Sequence, residues 1–225
     1  MSTHFFGLKD WTFTYSHSIG RNEFAGTGFR NPVSMAMAAD DVVYVLNRSY
    51  ENRLDGLRVT VCTMNEEYIS EFGSYGEGDG QFVWPTAIGV DADENVYVAD
   101  EWLNRITIYD KDGEYLRKWG TPGSGNGELN KPAGMVITPD GAILLVDSGN
   151  HRIQKFTLDG QYVSQFGSSG DGPGQFNLPW GIALDREGLI YVADWRNDRI
   201  QQFNAEGQWQ ATFGQSGSGV GQFNR

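Results

Sequence analysis

Four prolines, Pro32, Pro85, Pro132 and Pro179, open four copies of one pattern, spaced by 53, 47 and 47 residues. Fifteen residues after each proline stands Asn47, Asp100, Asp147 or Asp194. Five residues further on, three copies place Arg105, Arg152 or Arg199; in the first copy Arg58 comes after eleven. Fifteen residues beyond each arginine lies Gly73, Gly120, Gly167 or Gly214, and nine beyond that Phe82, Leu129, Phe176 or Phe223. A leading half copy keeps the same rule with Gly20, Phe29 and Pro32. Chance does not hold such a register, and a chain built this way must bury each unit against its neighbours.

Within a copy the pattern has period two. TAIGVD, AGMVIT and WGIALD alternate small and large residues, as strands packed on both faces do. NVYVAD, AILLVD and LIYVAD follow after a turn, then RITIYD, RIQKFT and RIQQFN. Hairpins at Asp112-Gly113, Asp159-Gly160 and Glu206-Gly207 lead to EYLRKWG, QYVSQFG and QWQATFG. No stretch carries a helical period over ten residues, which excludes a helical solenoid. Glycine, at 30 of 225 residues, is about twice its average share of roughly 7 %, as turn-rich β proteins require. Four-stranded antiparallel units with two apolar faces stack radially, so the expected fold is all-β, a β-propeller.

The net charge of −12 repels phosphate backbones and anionic lipid, which disfavours nucleic acid and membrane surfaces as partners. MSTHFFGLKDW has neither a basic segment nor an apolar one, so no signal peptide is expected, and no apolar run approaches 18 residues. A cytoplasmic location is the corresponding expectation. The single cysteine, Cys62, excludes an internal disulfide.

Residues 174–203, GQFNLPWGIALDREGLIYVADWRNDRIQQF, resemble an NHL repeat, and 80–109 and 127–156 follow the same pattern. The first copy departs from it: Asn47 replaces the aspartate, and RSYENRLDGL adds six residues before Arg58. The resemblance implies a propeller, most often six-bladed, in which one terminus completes the blade begun by the other. Residues 1–225 then form a single domain, with outer strands of a split blade at 5–31 and blades at 32–84, 85–131, 132–178 and 179–225. Four blades and a half are fewer than six. The ring is therefore expected to be incomplete in this chain, its open edges met by further sequence or by homo-oligomerisation.

Asp100/Arg105, Asp147/Arg152 and Asp194/Arg199 recur at one spacing, which marks structural staples across a turn; an enzyme site is asymmetric. The loops GSYGEGDGQF, TPGSGNGELN and SSGDGPGQFN mimic phosphate-binding spacings, but strands follow them instead of helices and no GK[ST] is present. Asp91-Ala92-Asp93 resembles the start of a calcium loop but lacks its glycine and its final glutamate, so it reads as a hairpin turn. The sequon at Asn47 is uninformative without a secretory leader. His4, His17 and His151 are scattered over the pattern, whereas zinc catalysis needs three convergent ligands. No catalytic set and no cofactor is expected.

In a propeller, the loops from second to third strand share one face with the loops that lead into the next blade. This upper face collects Trp102, Trp195, Arg196, Arg48, Tyr50, Arg53 and Tyr75, with Trp84 and Trp180 beside the prolines as the better candidates for packing. Trp, Tyr and Arg are enriched in binding hot spots. The leading expectation is a non-enzymatic scaffold that takes a protein, a peptide or a small ligand on this face. The alternative is an amidating-lyase-like or lactonase-like enzyme using zinc or calcium, with part of its site in further blades. RNA binding ranks third because of the charge.

Overall fold

Period-two apolar sequence broken by glycine turns folds each copy into a four-stranded antiparallel meander, its strands hydrogen-bonded in chain order. The computed structural model describes residues 28–48, 54–65 and 67–224. Most of the split blade, Tyr50 and Arg53 therefore lie outside the described residues. Blade one comprises Pro32–Met37, Val42–Asn47, Arg58–Thr63 and Tyr68–Phe72. Blade two comprises Pro85–Val90, Val96–Asp100, Arg105–Tyr109 and Tyr115–Trp119. Blade three comprises Pro132–Ile137, Ala142–Asp147, Arg152–Thr157 and Tyr162–Phe166. Blade four comprises Pro179–Leu184, Ile190–Asp194, Arg199–Phe203 and Trp209–Phe213. Each repeat proline starts a first strand, where its missing N–H removes no interior ladder bond.

First strands of successive blades pack side by side along the inside of the arc. Burial is deepest one layer further out: VYVAD, RITIY and AILLVD are buried at every position. The expectation that TAIGVD, AGMVIT and WGIALD are packed on both faces holds best in blade two, where four of the six residues of Pro85–Val90 are buried, and fails in blade four, where Pro179 alone of Pro179–Leu184 is buried. The innermost strand of blade one, Pro32–Met37, has no buried residue, and Met35 and Met37 are exposed.

Three apolar clusters fill the joints between blades one and two, two and three, and three and four. Each joint is plugged by the residue nine beyond the repeat glycine: Phe82, Leu129 and Phe176 are all 0 % exposed. Full burial of such a side chain contributes about 1.5–3 kcal/mol. At Gly73 and Gly167 the backbone is left-handed, with φ of 80° and 92°, and a Cβ would overlap the Phe82 or Phe176 ring. A short parallel pairing unseen in the sequence leads into each joint, Ser74–Tyr75 with Gln81–Phe82, Thr121–Pro122 with Glu128–Leu129, and Ser168–Ser169 with Gln175–Phe176.

The arc has two unlike ends. On blade one, the face turned away from blade two is covered: Val43, Val45 and Cys62 are buried, with Phe29 and Met64 packed on them. On blade four, no described strand covers the corresponding far face. Among the described residues, no helix is long and apolar enough to cross a membrane.

Candidate functional site

The repeated Asp and Arg sit at facing ends of the second and third strands, paired in register in each regular blade. In blade three, Arg152 Nε donates to Asp147 Oδ2 at 2.7 Å, and its NH2 group donates to the Gly125 and Glu128 carbonyls of the incoming loop. Asp147 Oδ2 also accepts from the side chains of Asn150 and Gln154, while Oδ1 accepts the Asn130 amide at 2.7 Å. Blade four repeats this with Arg199, Asp194, Asn197, Gln201 and the Asn177 amide. The latch thus joins a turn to the loop arriving from the previous blade.

Blade two is wired differently. The expected Asp100–Arg105 ion pair does not form. Asp100 Oδ2 accepts the amides of Val83 (2.7 Å) and Trp84 (3.0 Å), and Oδ1 accepts those of Trp102 (3.0 Å) and Leu103 (2.9 Å). Arg105 still holds the Glu77, Gly78 and Gln81 carbonyls, but its Nε has no partner. The cause is two substitutions within the repeat. Leu103 and Thr107 stand where blades three and four place Asn150/Asn197 and Gln154/Gln201, so no side chain draws the carboxylate inward. In blade one Asn47 accepts the Arg30 amide at 2.8 Å, and Arg58 turns to Glu71 at 3.0 Å.

One buried carboxylate therefore fixes the backbone beneath two indoles. Trp84 and Trp102, with Glu101, Asn104, Asn130 and Lys131, line a bowl of about 530 Å³ on the upper face. Trp102 is 70 % exposed. The Arg48 guanidinium of blade one lies over the Trp84 ring, 4.5 Å from its centroid. Lys131 is anchored through its amide to Asn104 Oδ1 at 2.7 Å. Burial pushes the Glu101 carboxyl above its usual range; Lys131 and Arg48 oppose the shift and Asp100 adds to it. The arrangement offers two aromatic walls and charges of both signs in a recess.

The remaining upper-face residues do not converge on this bowl. Trp195 and Trp180 meet edge to face at 6.3 Å, with Arg196 over Trp195 at 4.8 Å, and they border a second hollow on blade four. Tyr75 is exposed on the parallel pairing that leads into blade two. The described end of the insertion is anchored by the Arg30–Asp55 ion pair at 2.9 Å and by buried Leu57.

The other motifs are occupied locally. Gln81, Gln175 and Gln222 each accept a loop amide through Oε1, from Gly78, Gly172 and Gly219, so the glycine loops turn these amides inward. Asp91 accepts the Asp93 and Asn95 amides on Oδ1 and the Tyr97 hydroxyl on Oδ2, which makes it a turn residue. His151 Nδ1 accepts the Leu178 amide at 3.1 Å, as Asn104 does for Lys131 one blade earlier. Among the described residues, no three His, Cys, Asp or Glu side chains are grouped to hold a metal ion.

Sequence reasoning missed Glu101, Asn104, Asn130 and Lys131 as lining residues and ranked Trp84, though on the upper face, as a better candidate for packing. A signal was present: Leu103 and Thr107 break the Asn and Gln of the two later copies, next to the tryptophans.

Fold and blades together define a β-propeller. The NHL repeat matches residues 129–156 and 176–203, the stretches that carry the regular latch in blades three and four, so the chain is a β-propeller with NHL repeats in those two blades. No curated protein sequence is matched. Among solved structures, the chain is similar to virginiamycin B lyase from Staphylococcus aureus, a catalytically inactive variant with quinupristin, at 16 % identity and a TM-score of 0.58, covering 81 % of this chain and 55 % of that one. Hydrazine synthase from Kuenenia stuttgartiensis matches at 16 % identity and a TM-score of 0.59, covering 85 % and 51 %. The chain thus spans about half the length of these structures, and identities this low carry the fold alone.

Proposed function

We propose that the protein is a binding scaffold whose upper face takes a polypeptide partner, anchored by a side chain in the bowl between Trp84 and Trp102. The carrying observation is Asp100: a fully buried carboxylate holding four amides fixes both tryptophans and leaves Trp102 open to solvent. A preorganised aromatic wall binds without the cost of ordering it. The bowl's volume falls within the roughly 300–1,000 Å³ typical of ligand pockets. Arg, Trp and mixed charges around one recess match the composition of interface hot spots.

The test is selection of peptides from a display library on the immobilised chain. Selected peptides should bind Trp102→Ala and Trp84→Ala at least tenfold more weakly, and Trp209→Ala unchanged. Equal affinity for all variants overturns the bowl as the anchor. Stoichiometric zinc or calcium in the purified protein would move the reading to a metal-dependent lyase-like or lactonase-like enzyme.

A further inference from the structure

We infer that the side chain anchored in the bowl is an arginine of a basic peptide, its guanidinium laid on Trp102 and its N–H edge directed to the Glu101 carboxylate. This rests on the binding reading above and names the chemistry of its anchor.

The molecule itself shows what its upper-face tryptophans receive. Arg48 lies over Trp84, 4.5 Å from the ring centroid, and Arg196 lies over Trp195 at 4.8 Å. Trp180 packs edge to face on Trp195. Among the described residues, Trp102 carries neither a cation nor a ring, and it is the most exposed of the four at 70 %. A guanidinium is planar and weakly hydrated, so it stacks on an indole where a compact ammonium keeps its water.

The turn that holds Trp102 supports the same occupant. Glu101-Trp102 of blade two stands where blade three has Ser148-Gly149 and blade four has Trp195-Arg196. Blade four thus supplies the guanidinium for its tryptophan from the very next residue. Blade two sets a carboxylate beside its tryptophan and leaves the cation to come from outside. Glu101 is held there by its backbone: its amide donates to the Trp84 carbonyl at 3.0 Å, while Asp100 takes the amides of Trp84 and Trp102.

Through its carboxylate Glu101 makes no hydrogen bond or ion pair among the described residues, and burial is the main cause that raises its pKa. Lys131 is exposed and screened by water, and Arg48 is seated on Trp84, so neither takes up the carboxylate. A half-buried, unpaired carboxylate opposes folding, and a charge-assisted hydrogen bond from a ligand offsets that cost. The net charge of −12 draws a basic peptide toward the chain and repels an acidic one.

The test uses the full chain and peptides selected on it whose binding is weakened by Trp102→Ala. Each arginine of such a peptide is replaced in turn by lysine and by citrulline, its uncharged isostere. At one position citrulline should weaken binding to the parent chain about tenfold, with lysine in between, and the loss should shrink to about twofold on Glu101→Gln. Added salt should weaken binding to the parent chain more than to Glu101→Gln. A melting curve like the parent's shows that Glu101→Gln is folded. Selected peptides without arginine, or a citrulline loss equal on the two chains, overturn the inference and leave the bowl as the anchor of another side chain. Peptides that bind Trp102→Ala as tightly as the parent overturn the binding reading itself, and the arginine with it.

Discussion

Blade two and blade three have the same strand order, the same turn length and the same Asp and Arg five residues apart, and both carboxylates accept the incoming-loop amide, yet their other partners differ. Asp147 binds the side chains of Arg152, Asn150 and Gln154 through Oδ2. Asp100, equally buried, binds only backbone amides, two of them belonging to tryptophans. Two neighbouring side chains account for the difference. Leu103 and Thr107 withdraw the donors that hold the carboxylate inward, and the turn amides take it instead. A repeat thereby becomes an individual site without any change in strand topology.

Breaking the regular latch should have the largest effect. Asp147→Ala leaves the buried Arg152 guanidinium without its counter-ion and should cost about 3–5 kcal/mol in chemical denaturation. Asp100→Ala breaks no ion pair but frees four amides, of which solvent recovers part. A loss of about 2 kcal/mol is expected, together with weaker binding of peptides selected against the bowl. A loss of stability with unchanged peptide affinity would show that Asp100 does not position the tryptophans.

Converting one blade to the other sharpens the comparison further. The double variant Leu103→Asn/Thr107→Gln should turn Asp100 onto Arg105, give Arg105 Nε a partner and add about 1–2 kcal/mol of stability. Peptide affinity should fall as the amides of Trp84 and Trp102 are released. The smallest effect concerns Glu101. Burial raises its carboxyl pKa in the folded state, so the ionised form opposes folding above that pKa and the penalty vanishes as the group protonates. Glu101→Gln should therefore melt slightly higher than the parent at pH 7–8, and the difference should fade below the ordinary value of 4.5. A difference that grows on acidification would contradict the assigned cause.

Much of this was legible in the chain. The proline, aspartate, arginine and glycine register gave the blades, and the Phe82, Leu129 and Phe176 positions gave the joint plugs once a structure assigned them a role. Period two distinguishes strand from helix, but it does not say which strand lies deepest. The innermost strands therefore read as doubly packed, which blade two approaches and blade four does not, whereas burial is complete in the second and third strands of blade two. The staples were legible as recurring pairs, and the one that fails, Asp100/Arg105, fails because of neighbours at 103 and 107.

By itself, the sequence determined that the chain is a radial array of four-stranded units, because a register repeated every 47 residues leaves each unit two apolar faces that only its neighbours can cover. Tertiary structure alone decided which of the repeated carboxylates binds only backbone amides and which tryptophans share a recess. Those outcomes depend on competition among hydrogen-bond donors brought together from residues 83 to 107 and from the next blade, and proximity of that kind arises only when the blades are packed.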